Sequence, residues 1–274
     1  MEDVAAAAPE VEGQAAVGSE RGIMADFEEM RDTQRAKEFV TKLHEAAKDN
    51  LISVTLYGSA AAGDYHPEYS NLNLFCVLRD SSFAALQTLA PVVKWWERQK
   101  QPPPLFMTRE EVVRSADVFS IELMDMQEHH RVLFGEDVLQ GLHIPTSLRT
   151  VQVEYELREK LALLRRHLLL ASGNDSRLWE VLTRSISSFV TLFRHALTVL
   201  GQNPPPGKRE TVKMLATKIG FDPSGFLQVL DVRERRIKPA KLDASEVFSR
   251  YLAAVEQVTA AVDKMLDSDT ASSS

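Results

Sequence analysis

Gly58 and Ser59, followed by Ser70, Asn71 and Asn73, are the residues of this 274-residue chain whose types and spacing point to chemistry. Gly58 can take a positive φ and lets another group approach the backbone closely, and exposed amides beside the Ser59 hydroxyl can hold phosphate oxygens. Asn71 and Asn73 each offer a neutral amide oxygen. They alternate with Leu72 and Leu74, so on a strand the two amides share one face. Glu122, among mostly apolar neighbours in FSIELMDM, can serve as a metal ligand or general base, or as a partly exposed partner of a Lys or Arg. Asp125 is the fallback carboxylate. His129 and His130, followed by Arg131, have no acid at a fixed spacing and read as solvated turn residues.

Two strands must hold the first group. Ile52, Val54 and Leu56 are apolar at period two before Gly58, and Leu72, Leu74, Cys76 and Leu78 after Ser70, with a polar loop between. Before them, Phe39, Val40, Leu43 and Ala47 predict a helix to about Lys48 that packs on the sheet. After them, Ser81 or Ser82 caps a helix to about Lys100 with Pro91 inside it, and Pro102, Pro103 and Pro104 end it. Leu105 to Met107 is extended, and the TREE that begins at Thr108 is a capping box in which Glu111 reaches back. Asp117 to Met126 alternates again, which predicts a further strand carrying Glu122.

Beyond Gly135, Gly141 and Pro145 every longer segment has helical period. Ser147 is the expected cap of a helix striped by Leu157, Leu161, Leu164 and Leu168. Leu178, Leu182, Phe189, Phe193, Ala196 and Leu200 stripe a second. Shorter helices carry Val212, Leu215, Ala216 and Ile219, then Phe226 and Leu230, and Val247, Tyr251, Val255, Val258 and Val262 make the last. Four or five such helices joined by short loops predict an up-and-down bundle. The expected division is an acidic disordered tail over 1–22, an α+β domain over 23–144, the bundle over 145–267 and a polar tail over 268–274.

Charge and cysteine usage narrow the class. Residues 1–50 hold 12 acids and 6 bases, a net of −6 out of −7 for the chain, so the acidity belongs to the N-terminal segment. Lys208, Arg209, Lys213 and Lys218, then Arg233, Arg235, Arg236, Lys238 and Lys241, are diluted by Glu210, Asp231, Glu234 and Asp243. They read as a solvated helix face, and nucleic acid is not favoured. The single Cys76 lies in an expected buried strand and reads as a small apolar residue. Trp95, Trp96 and Trp179 read as core. No apolar run approaches the roughly 20 residues that span a bilayer, and a cytoplasmic location is expected.

Gly58-Ser59, ten residues, then Ser70-Asn71-Leu72-Asn73 resembles the signature of the nucleotidyltransferase superfamily, which includes the aminoglycoside and minimal nucleotidyltransferases. Gly63, Asp64 and Pro67 match the family loop, whereas Ala62 stands where an Arg is common. The resemblance implies a mixed sheet with flanking helices followed by a helical bundle. It implies nucleotide binding at Gly58, Ser59 and Ser70, with a nucleoside triphosphate and Mg²⁺ as cofactors. It also makes Asn71 and Asn73 the degenerate positions of the family's two metal-binding acids, with Glu122 as a residual third.

Mg²⁺ prefers anionic oxygens, and at 4 Å a unit charge pair gains roughly 4 kcal/mol at an effective dielectric of about 20. Losing both acids therefore removes roughly several kcal/mol of metal affinity, and with it the means of activating a hydroxyl and neutralising leaving pyrophosphate. The expectation is a nucleotide-binding or regulatory pseudoenzyme. One alternative is an active transferase that holds its metal through Asp64, Glu68 or Glu122 and passes a nucleoside monophosphate to a small molecule, RNA or protein. Another is a structural subunit whose bundle dimerises or docks a partner. Bundles of the HEPN ribonucleases carry Arg four to six residues before His; no such spacing occurs in the bundle here, which disfavours ribonuclease activity.

Overall fold

The computed structural model describes residues 32–62 and 71–272, with side chains to residue 266. The expectations for the 1–22 tail and for Gly63, Asp64, Pro67, Glu68 and Ser70 fall outside the described residues.

A helix α1 (32–47) leads into β1 (Leu51–Tyr57), which is followed by β2 (Asn73–Leu78), α2 (Phe83–Arg98), β3 (Leu105–Thr108), α3 (Arg109–Arg114), α4 (Ser120–Glu128) and β4 (His130–Gly135). The strands form one mixed sheet in the order β3-β2-β1-β4, with β1 antiparallel to β2 and β4 and β2 parallel to β3. Both faces are covered, so β2 is apolar almost throughout. Leu74, Cys76 and Leu78 pack with Val54, Leu56, Phe39 and Leu43 of α1 and Trp96 of α2. Phe75 and Val77 pack on the other side with Val112 of α3 and Leu123 and Met126 of α4. Ser82 caps α2 through its hydroxyl, and the Thr108–Glu111 capping box starts α3 as the sequence predicts.

The strand expected over Asp117–Met126 is α4 instead, so Glu122 sits on a helix. The misleading alternation has a physical origin. Ile121 packs into the core of the C-terminal helices, whereas Leu123 and Met126 pack against the sheet, and a helix buried on two sides loses its single apolar stripe. The fourth strand is the next segment, so His130 begins β4 rather than a turn.

The remaining chain is helical: α5 (Arg149–Ala171), α6 (Asp175–Val199), α7 (Lys208–Ile219), α8 (Ser224–Arg233) and α9 (Ala244–Ser272). Their shared core holds the predicted stripes, including Leu157, Leu161, Phe189, Phe193, Phe226, Tyr251 and Val258. Tyr251 stacks on Phe226 with ring centroids 4.0 Å apart and meets Phe189 edge-on. Two details differ from expectation. The residue capping α5 is Leu148 without a side-chain bond, not Ser147. Helix α9 runs through Ser272, into the segment expected to be a tail, since no Gly or Pro follows Leu266 to stop it.

Candidate functional site

Strand β1 delivers the chain to a tight turn. Gly58 takes φ +76°, a single 3-10 turn follows over Gly58–Ala60, and the Gly58 amide donates to the His129 carbonyl at 3.3 Å. That bond ties the turn to the junction of α4 and β4. Opposite stand Ser187, Val190, Thr191 and Arg194 of α6 and the Pro206-Gly207-Lys208 start of α7, and together with Asp125 and His129 they enclose a cleft of about 400 Å³. A proline-rich loop that ends at Gly207, the residue capping α7, brings this helix start to the cleft. The first amides of a helix lack intrahelical acceptors and carry the positive end of its dipole, so they favour an anion.

The cleft carries charges of both signs, and Glu210, in the first turn of α7, folds its carboxylate back over Gly207. Arg194 and Lys208 line the cleft. Arg194 is held by Glu128 of α4 at 3.0 Å, which fixes its guanidinium at the cleft wall. Asp125 is the only carboxylate lining the cleft among the described residues, and its Oδ1 lies 3.2 Å from Nε2 of the buried His195. His129 lines the cleft as well, whereas His130 turns away to Asp137 at 2.9 Å. The expectation of two solvated turn histidines is corrected for His130, which is fixed in β4, while His129 lies in the bend after α4 and faces the cleft.

The structure separates the other predicted residues. Gly58 and Ser59 lie in the cleft. Asn73 opens β2 opposite Tyr57, and its Nδ2 would sit 3.1 Å from a Cβ built on Gly58, so this amide backs directly onto the turn. Asn71 precedes the strand and is exposed, so the two amides are not paired on one stretch of β2. Glu122 does not line the cleft. It is an exposed residue, yet its carboxyl is held above its ordinary pKa of 4.5, first by desolvation and then by the nearby Glu156 and Asp125 against Lys160. The half-buried Tyr57 phenol is likewise raised, by desolvation first and by Glu122 second.

Among the described residues, the donor set does not fit Mg²⁺. One exposed and one half-buried neutral amide, with a carboxylate already bonded to a histidine, lack the anionic oxygens the ion prefers, and no group of three His, Cys, Asp or Glu converges among the described residues.

The basic residues read as a solvated face divide into separate roles. Lys208 reaches the cleft, Arg209 pairs with Asp231 and Glu234 at 2.6 and 2.9 Å, and buried Arg233 donates to Ser187 at 2.7 Å. Arg194, Lys208, Thr191 and Ser187 were missed as site residues because only the packing of α6 and α7 against the sheet brings them to Gly58. The Pro-Gly-Lys start of α7 was the one local signal. A larger groove of about 620 Å³, between α3 and the segment after β4, contains none of these groups.

Among known proteins, residues 36–128 match the family model described as nucleotidyltransferase domain. No curated protein matches the chain. The solved structure of spectinomycin adenyltransferase AAD(9) from Enterococcus faecialis, with ATP and spectinomycin, is similar with a TM-score of 0.50 at 15% identity, over 80% of this chain and 97% of that one. At such identity the likeness speaks for the fold, which the mixed sheet and the following helices share.

Proposed function

We propose, from the premise that residues 36–128 form a domain of the nucleotidyltransferase superfamily, that this chain binds a nucleoside triphosphate in the Gly58–Lys208 cleft and acts as a regulatory pseudoenzyme. The observation that carries the reading is the convergence of the Gly58–Ser59 turn, Arg194, Lys208 and the start of α7 on one cleft, while the positions that the resemblance makes metal ligands hold Asn71 and Asn73. Phosphate oxygens would meet the Ser59 hydroxyl, the two cations and the α7 amides. That the AAD(9) structure contains ATP supports a nucleotide as the ligand.

The test is a thermal-shift screen of nucleoside triphosphates on the full chain. Ligand at 100 times its dissociation constant stabilises by about 2.7 kcal/mol, which raises the melting temperature measurably. Ser59→Ala and Lys208→Gln should remove the shift while leaving the unliganded melting temperature in place. Gly58→Ala is avoided, because φ +76° strains any side chain there. Incorporation of nucleotide from α-labelled triphosphate into protein, RNA or small acceptors should be absent.

The active-transferase reading draws on one observation, the Asp125–His195 pair at the cleft wall, which could receive a proton from an acceptor hydroxyl. Labelled incorporation that is lost in Asp125→Asn would replace the pseudoenzyme reading with that one. The partner-docking reading draws on Leu169 and Leu170, which end α5 at 78% and 75% exposure. Light scattering would show whether the chain self-associates there. A cytoplasmic protein, where nucleoside triphosphates are abundant, is the setting this function requires. No helix among the described residues is long and apolar enough to cross a membrane.

A further inference from the structure

The cleft's charges are the inverse of what a metal-bound triphosphate needs, and we propose that it takes the nucleoside triphosphate as the metal-free polyphosphate anion, with the chain's own cations standing where a divalent ion would. This rests on the nucleotide-binding reading and specifies the ionic form of the ligand.

A nucleotide site that works with Mg²⁺ needs carboxylates to hold the ion, and without the ion those carboxylates repel the bare phosphates. Here the balance is reversed. Asn73 offers a neutral amide beside Gly58, and Asn71 lies exposed before the strand. Asp125 is bonded to His195. Against this carboxylate, the only one lining the cleft among the described residues, stand Arg194 and Lys208, with the Ser59 hydroxyl on one wall, those of Ser187 and Thr191 on the other, and the Glu210 carboxylate folded over Gly207 at the start of α7. Arg194 is positioned by Glu128, so the guanidinium donors not used in that pair are presented at a fixed place. A cleft so built gains from each negative charge on the ligand. Mg²⁺ in solution neutralises part of that charge and occupies phosphate oxygens the side chains would otherwise bond. The ion therefore competes with the protein for the same atoms.

The experiment is a fluorescence-anisotropy titration of the full chain against a methylanthraniloyl nucleoside triphosphate, once in EDTA and once in excess Mg²⁺. Binding in EDTA should be at least as tight as binding in Mg²⁺. Arg194→Gln and Lys208→Gln should each weaken binding in EDTA about tenfold, the loss expected for one charge-assisted phosphate contact. Asn73→Asp, which places a negative charge beside Gly58, should weaken binding in EDTA. Circular-dichroism melting without nucleotide checks that each variant is folded. Binding by the native chain that requires Mg²⁺ and disappears in EDTA would overturn the metal-free proposal and leave the nucleotide site standing. Absence of binding under both conditions would remove the nucleotide site and the proposal together.

Discussion

Glu122 shows how far a residue's type can be read without its surroundings. A carboxylate among apolar neighbours suggested a general base, and its pKa is indeed raised, yet it stands outside the cleft and affects the Tyr57 phenol and α5 instead. Because its folded pKa lies above the ordinary 4.5, the native state binds more protons than the unfolded chain in the window from 4.5 up to the folded value. Stability therefore falls as pH rises through that window, and Glu122→Gln should flatten this part of a urea-unfolding profile measured against pH. Nucleotide affinity should not change in that variant. A loss of binding would mean that Glu122 belongs to the site after all. Gly58, Ser59 and Asn73 were legible because a tight turn and the strand after it are local chemistry. Asp125 was named only as a fallback, and Arg194 and Lys208 were not read at all, since no pattern along the chain records which helix end will face which turn.

At the scale of elements, the sheet and its covering helices were legible wherever burial had one sign. The stripes of α5, α6 and α9 obey a single period, the caps of α2 and α3 are local chemistry, and β2, buried on both faces, was legible as an apolar run. Helix α4 has no single period, because it fills the space between two cores, with Ile121 on one side and Leu123 and Met126 on the other. Ile121→Ala should therefore cost about 2–5 kcal/mol, the usual range for emptying a packed position, with a lower denaturant midpoint as the readout. A neutral outcome would show that α4 is not seated in the helical core. Gly135 is the element-level counterpart at the end of β4. A Cβ there would lie 1.9 Å from the Ile52 carbonyl oxygen at φ +74°, whereas Gly141, at φ +76°, has nothing within 4 Å. Gly135→Ala should thus lower stability well beyond the roughly 1 kcal/mol of positive-φ strain expected for Gly141→Ala, and thermal melting of the two variants side by side would show the difference.

For the molecule as a whole, helix α4 belongs by sequence to the sheet-bearing part and by packing to both parts. Besides Ile121, it reaches the later helices through Ser120 to Gln152, Asp125 to His195 and Glu128 to Arg194. The join between the halves is thus an interface in its own right, and the connecting loop around Gly141–Pro145 is its tether. A tether raises the effective concentration of two surfaces that already fit, without creating the fit. Cutting the backbone within that loop should consequently yield two fragments that still recognise each other: produced together, with an affinity handle on one, they should purify as a stoichiometric pair, and Ile121→Asp should part them. Complementation of this kind makes the cleft a property of assembly, since one fragment brings Gly58 and Ser59 and the other brings Arg194 and Lys208.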